Sequence, residues 1–162
     1  MTSVYLTGEL SHSHLYHVYE ARDEITELVI DSPGGDIQLG ISIIQCLPKD
    51  IRTVALSECQ SAAVYIFAAG VERVCLPSTT FLLHAGSMSI NCDQATFAQY
   101  QAHGKKVERL LSRLLPKDLH GWDHGADRVF DGHTALAKGL ATSVLSRRRK
   151  RRKPIAVVDG EC

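Results

Sequence analysis

Six short apolar runs, each followed or preceded by a stretch with helical spacing, constrain this chain more than any other feature of it. "SVYLTGEL", "ITELVID", "RTVAL", "RVCLP", "TTFLLH" and "ATSVL" read as strands, rich in β-branched and aromatic residues. Between them, "HSHLYHVYEAR" sets Leu15, Val18 and Ala21 at helical intervals, and "IQLGISIIQCL" is an apolar helix stopped by Pro48. Pro77 separates "RVCLP" from "TTFLLH", and "HTALAKGL" is a short helix with Gly139 near its end. From Asp93 to Leu115, Phe97, Tyr100, Gly104, Val107, Leu111 and Leu114 recur at threes and fours, which predicts one face of a long helix. Gly104 weakens that helix or lets another group come close. Strands alternating with helices predict an α/β domain with an at least partly parallel sheet.

At 162 residues the chain fits one domain with a sizeable core. Its folded part is expected to stop near Leu145. An apolar share of 44% and a charged share of 22% are ordinary for a soluble protein. No run approaches the length of a membrane span, and the start "MTSVYLTGELSHSH" lacks the pattern of a secretory signal. A cytoplasmic location is the expectation. Five cysteines without a CxxC pair argue against a disulfide framework or a zinc site. His14 and His17 share a helix, yet no third ligand clusters with them, so no metal is expected. Residues 147–153 read "RRRKRRK"; without them, eleven Lys and Arg face eighteen Asp and Glu. Such a block reads as a solvated tail over residues 147–162, with nucleic-acid contact as the weaker reading.

One stretch carries chemistry. In "ECQSAAVYIFAAG", Ser61 heads a run of small and apolar residues. It is either a helix N-cap or a nucleophile placed where a helix N-terminus offers unpaired donors. His84 ends the strand "FLLH", and Asp127 lies in "GADRVFDG". A serine, a histidine to take its proton and a carboxylate to orient the ring would make a hydrolase. Any chain of this length offers many such triples, so residue types alone leave both readings of Ser61 open. The turn "DSPGGD" is a further candidate element, since a glycine pair can present N–H groups to a developing oxyanion with no side chain in the way.

The ordered blocks "YLTGEL", "VIDSPGGDIQLGISIIQCL", "CQSAAVYIFAAG", "RVCLPSTTFLLH" and "DRVFDGHTALAKGLA" resemble the proteolytic subunit of the Clp protease, over about residues 4–145. That resemblance implies the crotonase-like fold, a stacked, mostly parallel β-sheet flanked by helices, and a peptidase domain over residues 1–146. It implies Ser61 as nucleophile, His84 as general base and Asp127, twelve residues before Gly139, as the orienting acid. Gly35 and Ala62 would supply the oxyanion N–H groups. An extended peptide would lie between Gly34, Asp36 and Ile37 on one side and Ala85, Gly86 and Ser87 on the other. The substrate would be a peptide or unfolded protein, cleaved through an acyl-enzyme in a self-compartmentalising homo-oligomer of heptameric rings, without a cofactor.

Four departures accompany the resemblance. Ser57 stands where the family has glycine four residues before its serine. Almost nothing precedes "YLTGEL", where the family carries the axial loops that meet an ATP-driven unfoldase, so dependence on a Clp-type ATPase is doubtful. The segment between His84 and Asp127, the family's ring-joining handle, is slightly short. The basic tail has no counterpart. Alternative readings are a phage-type prohead or processing protease working without an ATPase, a Ser–Lys enzyme similar to signal peptide peptidase A using Lys105, Lys106 or Lys117, and a catalytically silent subunit of the same fold.

Overall fold

Parallel strands need long crossovers, and helices supply most of them here. The computed structural model describes residues 2–84, 93–120 and 127–145. In chain order the elements are β1 (Thr2–Thr7), α1 (His12–Ala21), β2 (Ile25–Ser32), α2 (Ile37–Cys46), β3 (Arg52–Gln60), α3 (Ala62–Ala68), β4 (Glu72–Cys75) and β5 (Thr80–Leu83). They continue with α4 (Gln94–Ser112), a 3-10 turn at Lys117–Leu119, β6 (Arg128–Phe130), α5 (Gly132–Ala137) and β7 (Ser143–Val144). The fold is α/β with a mostly parallel sheet, as the alternation predicts.

Strands β1, β2, β3, β4 and β7 lie side by side, all parallel. The long β3 divides its partners. Arg52–Ala55 pair with β4, whereas Glu58–Gln60 pair with β5, also in parallel. Strand β5 then pairs antiparallel with β6. The end of β3 thus keeps β2 on one side while β5 replaces β4 on the other, so the sheet branches there. Between these two halves the register against β2 jumps, from Ile30 opposite Ala55 to Ser32 opposite Cys59. The Asp31 carboxylate accepts the N–H groups of both Ser57 and Glu58 at 3.0 Å, which secures the displaced residues.

One face of the sheet carries Leu6, Leu28, Ile30 and Ala55, and these join Val18 of α1, Ile43 of α2 and Phe67 of α3 in a single buried cluster. All seven residues of α3 are buried, which explains why its sequence is apolar on every side. Phe67 packs against Phe81 at 5.4 Å between ring centroids, and burial of such a ring is worth about 1.5–3 kcal/mol. Gly40 lets α2 pack closely on α3, since a Cβ there would already touch that of Ala62 at 3.4 Å.

Two strands go beyond those read from the sequence. β3 runs past "RTVAL" through "ECQ" to Gln60. "RVF" forms the strand β6, with Phe130 stacked on Phe81 at 5.5 Å. In α4 only the second half of the apolar stripe is covered: Val107 and Leu111 are buried, whereas Phe97 and Tyr100 are 40% and 46% exposed. Gly104, at the junction, meets nothing within 4 Å at its Cβ position. Gly104→Ala is therefore expected to stabilise the chain by about 0.5–1 kcal/mol, read from a denaturant titration. A loss of stability would show that a neighbouring molecule occupies that space.

Candidate active site

The sequence leaves Ser61 undecided between cap and nucleophile, and the local geometry speaks against the cap. Ser61 stands between β3 and α3 with φ 51° and ψ −124°, and its side chain makes no capping hydrogen bond. It is the one non-glycine residue with positive φ among the described residues. A backbone in such a region costs about 1–3 kcal/mol and persists only where its surroundings enforce it. The enforcement is visible: Ser61 N–H donates to the Leu82 carbonyl at 2.8 Å, and Val64 N–H donates to the Ser61 carbonyl at 3.1 Å. The result is a sharp strand-to-helix elbow, built without the G-x-S-x-G pattern that usually accompanies one.

Strand pairing puts the three segments that carry the candidate residues side by side. Residues Phe81, Leu82 and Leu83 of β5 face Phe130, Val129 and Arg128 of β6. His84 directly follows Leu83 of β5, and Asp127 directly precedes Arg128 of β6; Leu83 and Arg128 are the last facing pair of that ladder. Facing residues of such a pair project on the same side with Cβ atoms about 4.5–5.5 Å apart. On the other edge of β5, Cys59 and Gln60 lie beside Phe81 and Leu82. Ser61 follows Gln60 directly, and its N–H donates to the Leu82 carbonyl. Three neighbouring segments therefore carry the serine, the histidine and the aspartate. His84 is half-buried and Asp127 exposed.

The glycine turn closes on the elbow from the other side. A Cβ on Gly34 would fall 2.6 Å from the Gln60 carbonyl oxygen, 2.9 Å from Ser61 Cβ and 3.0 Å from Ala62 N. Both Gly34 (φ 94°) and Gly35 (φ 146°) occupy backbone regions that favour glycine. Gly34 N–H is taken by Ser32 Oγ at 3.1 Å. Neither Gly35 N–H nor Ala62 N–H has a hydrogen-bonding partner among the described residues. Asp36 caps α2 by accepting Leu39 N–H at 2.9 Å, and Ile37 follows, half-buried. Ala85, Gly86 and Ser87 lie outside the described residues.

Lys105 and Lys106 are exposed on α4, and Lys117 is exposed on the 3-10 turn. Cys59, two residues before Ser61, is fully buried, and burial pushes its thiol well above the usual range. Burial likewise pushes Cys75 up to about 11, with the nearby Asp131 adding to the effect. Both thiols are protonated at neutral pH and poor nucleophiles. His14 serves α1, its Nδ1 accepting Ser11 N–H at 3.1 Å, and burial together with His17 lowers its pKa. Among the described residues no three His, Cys, Asp or Glu groups cluster as metal ligands. A groove of about 370 Å³ between α1 and α2, lined by His12, Tyr16, Ser42 and Cys46 among others, contains none of the candidate site residues.

Sequence reasoning missed two residues that shape the site. Asp31 holds the displaced part of β3, and Ser32 holds the glycine turn. Both stand within "DSPGG", where the glycines draw attention and their polar neighbours pass for turn formers. Ser57 needs no glycine-like backbone, so its difference from the family's glycine is conformationally tolerated. A family model described as Clp protease matches residues 9–148 of the chain.

Proposed function

This chain belongs to the Clp protease family, and we propose that it is a serine endopeptidase working through Ser61, His84 and Asp127. The observation that supports this reading is the side-by-side arrangement of β3, β5 and β6, the strands whose ends adjoin a strained serine, a histidine and an aspartate.

In the proposed reaction Ser61 Oγ attacks the peptide carbonyl as its proton passes to the His84 imidazole. The imidazolium then gives that proton to the departing amine. Asp127 holds the ring's orientation and stabilises its charged form. The oxyanion sits against the N–H groups of Gly35 and Ala62. Water, activated by His84, hydrolyses the acyl-enzyme. No cofactor takes part. The substrate is an extended polypeptide whose main chain pairs with the backbone around Gly34, Asp36 and Ile37, and around Ala85, Gly86 and Ser87, so recognition is only loosely sequence-specific.

The family's usual state is an assembly, and we place this chain in heptameric rings. The uncovered Phe97 and Tyr100 of α4 support that, being a surface a second ring would bury. Engagement of a Clp-type ATPase is a separate question, for which degradation of a folded protein with and without such an ATPase is the assay. No helix among the described residues is long and apolar enough to cross a membrane.

Labelling with a fluorophosphonate tests the reading. The assembled protein should acquire one adduct per chain, mapped by peptide mass spectrometry to Ser61. Absence of labelling would favour a catalytically silent subunit and overturn the proposal.

A further inference from the structure

Both peptide units that flank Gly34 are held by hydrogen bonds. Because a trans peptide is planar, the Gly34 carbonyl and the Gly35 N–H point in opposite directions. Leu10 N–H donates to the Gly34 carbonyl at 2.8 Å, and this fixes where Gly35 N–H can point. The preceding peptide is fixed by Ser32, whose Oγ accepts Gly34 N–H at 3.1 Å and donates to the Gly8 carbonyl at 2.6 Å. Ser32 is fully buried. Its single hydroxyl therefore ties the Gly8–Leu10 turn to the glycine pair, using both its donor and an acceptor site.

We infer that Ser32 is a positioning residue for the oxyanion pocket, acting through Gly34 to aim Gly35 N–H at the developing negative charge. Without its hydroxyl, Gly34 N–H loses its partner, and the orientation of Gly35 N–H is left to the Leu10 bond alone. An oxyanion donor acts in the transition state rather than on bound substrate, so its misalignment lowers kcat and leaves KM nearly unchanged. This inference rests on the Ser61–His84–Asp127 reading.

The test compares the intact protein with Ser32→Ala on a short fluorogenic peptide, with rates expressed per active site titrated by fluorophosphonate. Removing an oxyanion donor outright costs about 10²–10³ in rate, and loosening one should cost roughly tenfold. We expect kcat to fall about tenfold with KM within about twofold, and affinity for a peptide boronate to fall in step with kcat. Ser32→Thr, which keeps the hydroxyl, should recover most of the loss. If Ser32→Ala does not assemble, Ser32→Cys, nearly isosteric with a weaker hydrogen-bonding atom, should show a several-fold loss of kcat. An active unaltered enzyme whose kcat per titrated site is unchanged by these substitutions overturns the inference alone, as a purely structural role for Ser32 would give. Failure of the unaltered protein to cleave peptide or take up the label overturns the triad reading, and this inference with it.

Discussion

Ser61→Ala is expected to lower peptide hydrolysis by about 10⁶, the scale on which a catalytic triad fails when its nucleophile is removed. The fold should survive the change. Serine already bears the cost of φ 51° at this position, and alanine has the same Cβ and hence the same steric penalty. The side chain gives no hydrogen bond to the helix terminus, so no cap is lost with it. A serine acting only as a cap would behave differently, costing about 0.5–2 kcal/mol of stability without reference to turnover. The check is therefore double: turnover of a fluorogenic peptide together with the thermal midpoint of the same sample. Collapse of turnover with an unchanged midpoint is the expected result; residual activity within tenfold of the unaltered protein would show that another residue is the nucleophile.

The second large effect belongs to Asp127. In the proposed relay its carboxylate keeps the imidazole in the tautomer that can accept the serine proton, and the neutral amide of asparagine favours the wrong one. Asp127→Asn should lower kcat by about 10⁴, the size of the corresponding change in serine proteases of the chymotrypsin fold. Asp127 is exposed and sits just before β6, where it closes no packing, so stability should move little. The aspartates that cap helices provide the control. Asp36 and Asp131 accept N–H groups at the starts of α2 and α5, and their asparagine variants keep a good capping group. A comparable rate loss in Asp131→Asn, four residues further on, would transfer the orienting role away from Asp127.

Much of this architecture is legible in the sequence because the strands that build the main sheet are bounded by their own chemistry. Pro48 ends α2, Asp36 begins it, and the alternation of apolar runs and helices sets the parallel order. The family is legible too, through ordered blocks that resemble it. What the sequence hides is how the segments that carry the candidate residues pack together. Strand β6 is three residues long, too short for a periodicity, and it is extended because Phe130 stacks on Phe81 from a distant part of the chain. The segment "ECQ" carries no apolar alternation. It is drawn into β3 by the Asp31 carboxylate and by pairing with β5. The strained backbone of Ser61 leaves no mark in composition, since serine is ordinarily at home at a helix start. The stripe along α4 predicts a face correctly, yet spacing says nothing of what covers each half of it.

The central claim is that one hydroxyl, one imidazole and one carboxylate act together beside backbone donors from two separate turns. A diffraction structure of the assembled protein with a peptide boronate tests it most directly. The account predicts boron bonded to Ser61 Oγ, one boronate oxygen about 2.7–3.1 Å from the N–H groups of Gly35 and Ala62, and the His84 ring hydrogen-bonded on its far side to Asp127. A boronate bound elsewhere, or bound to Ser61 while His84 and Asp127 remain apart, would contradict it.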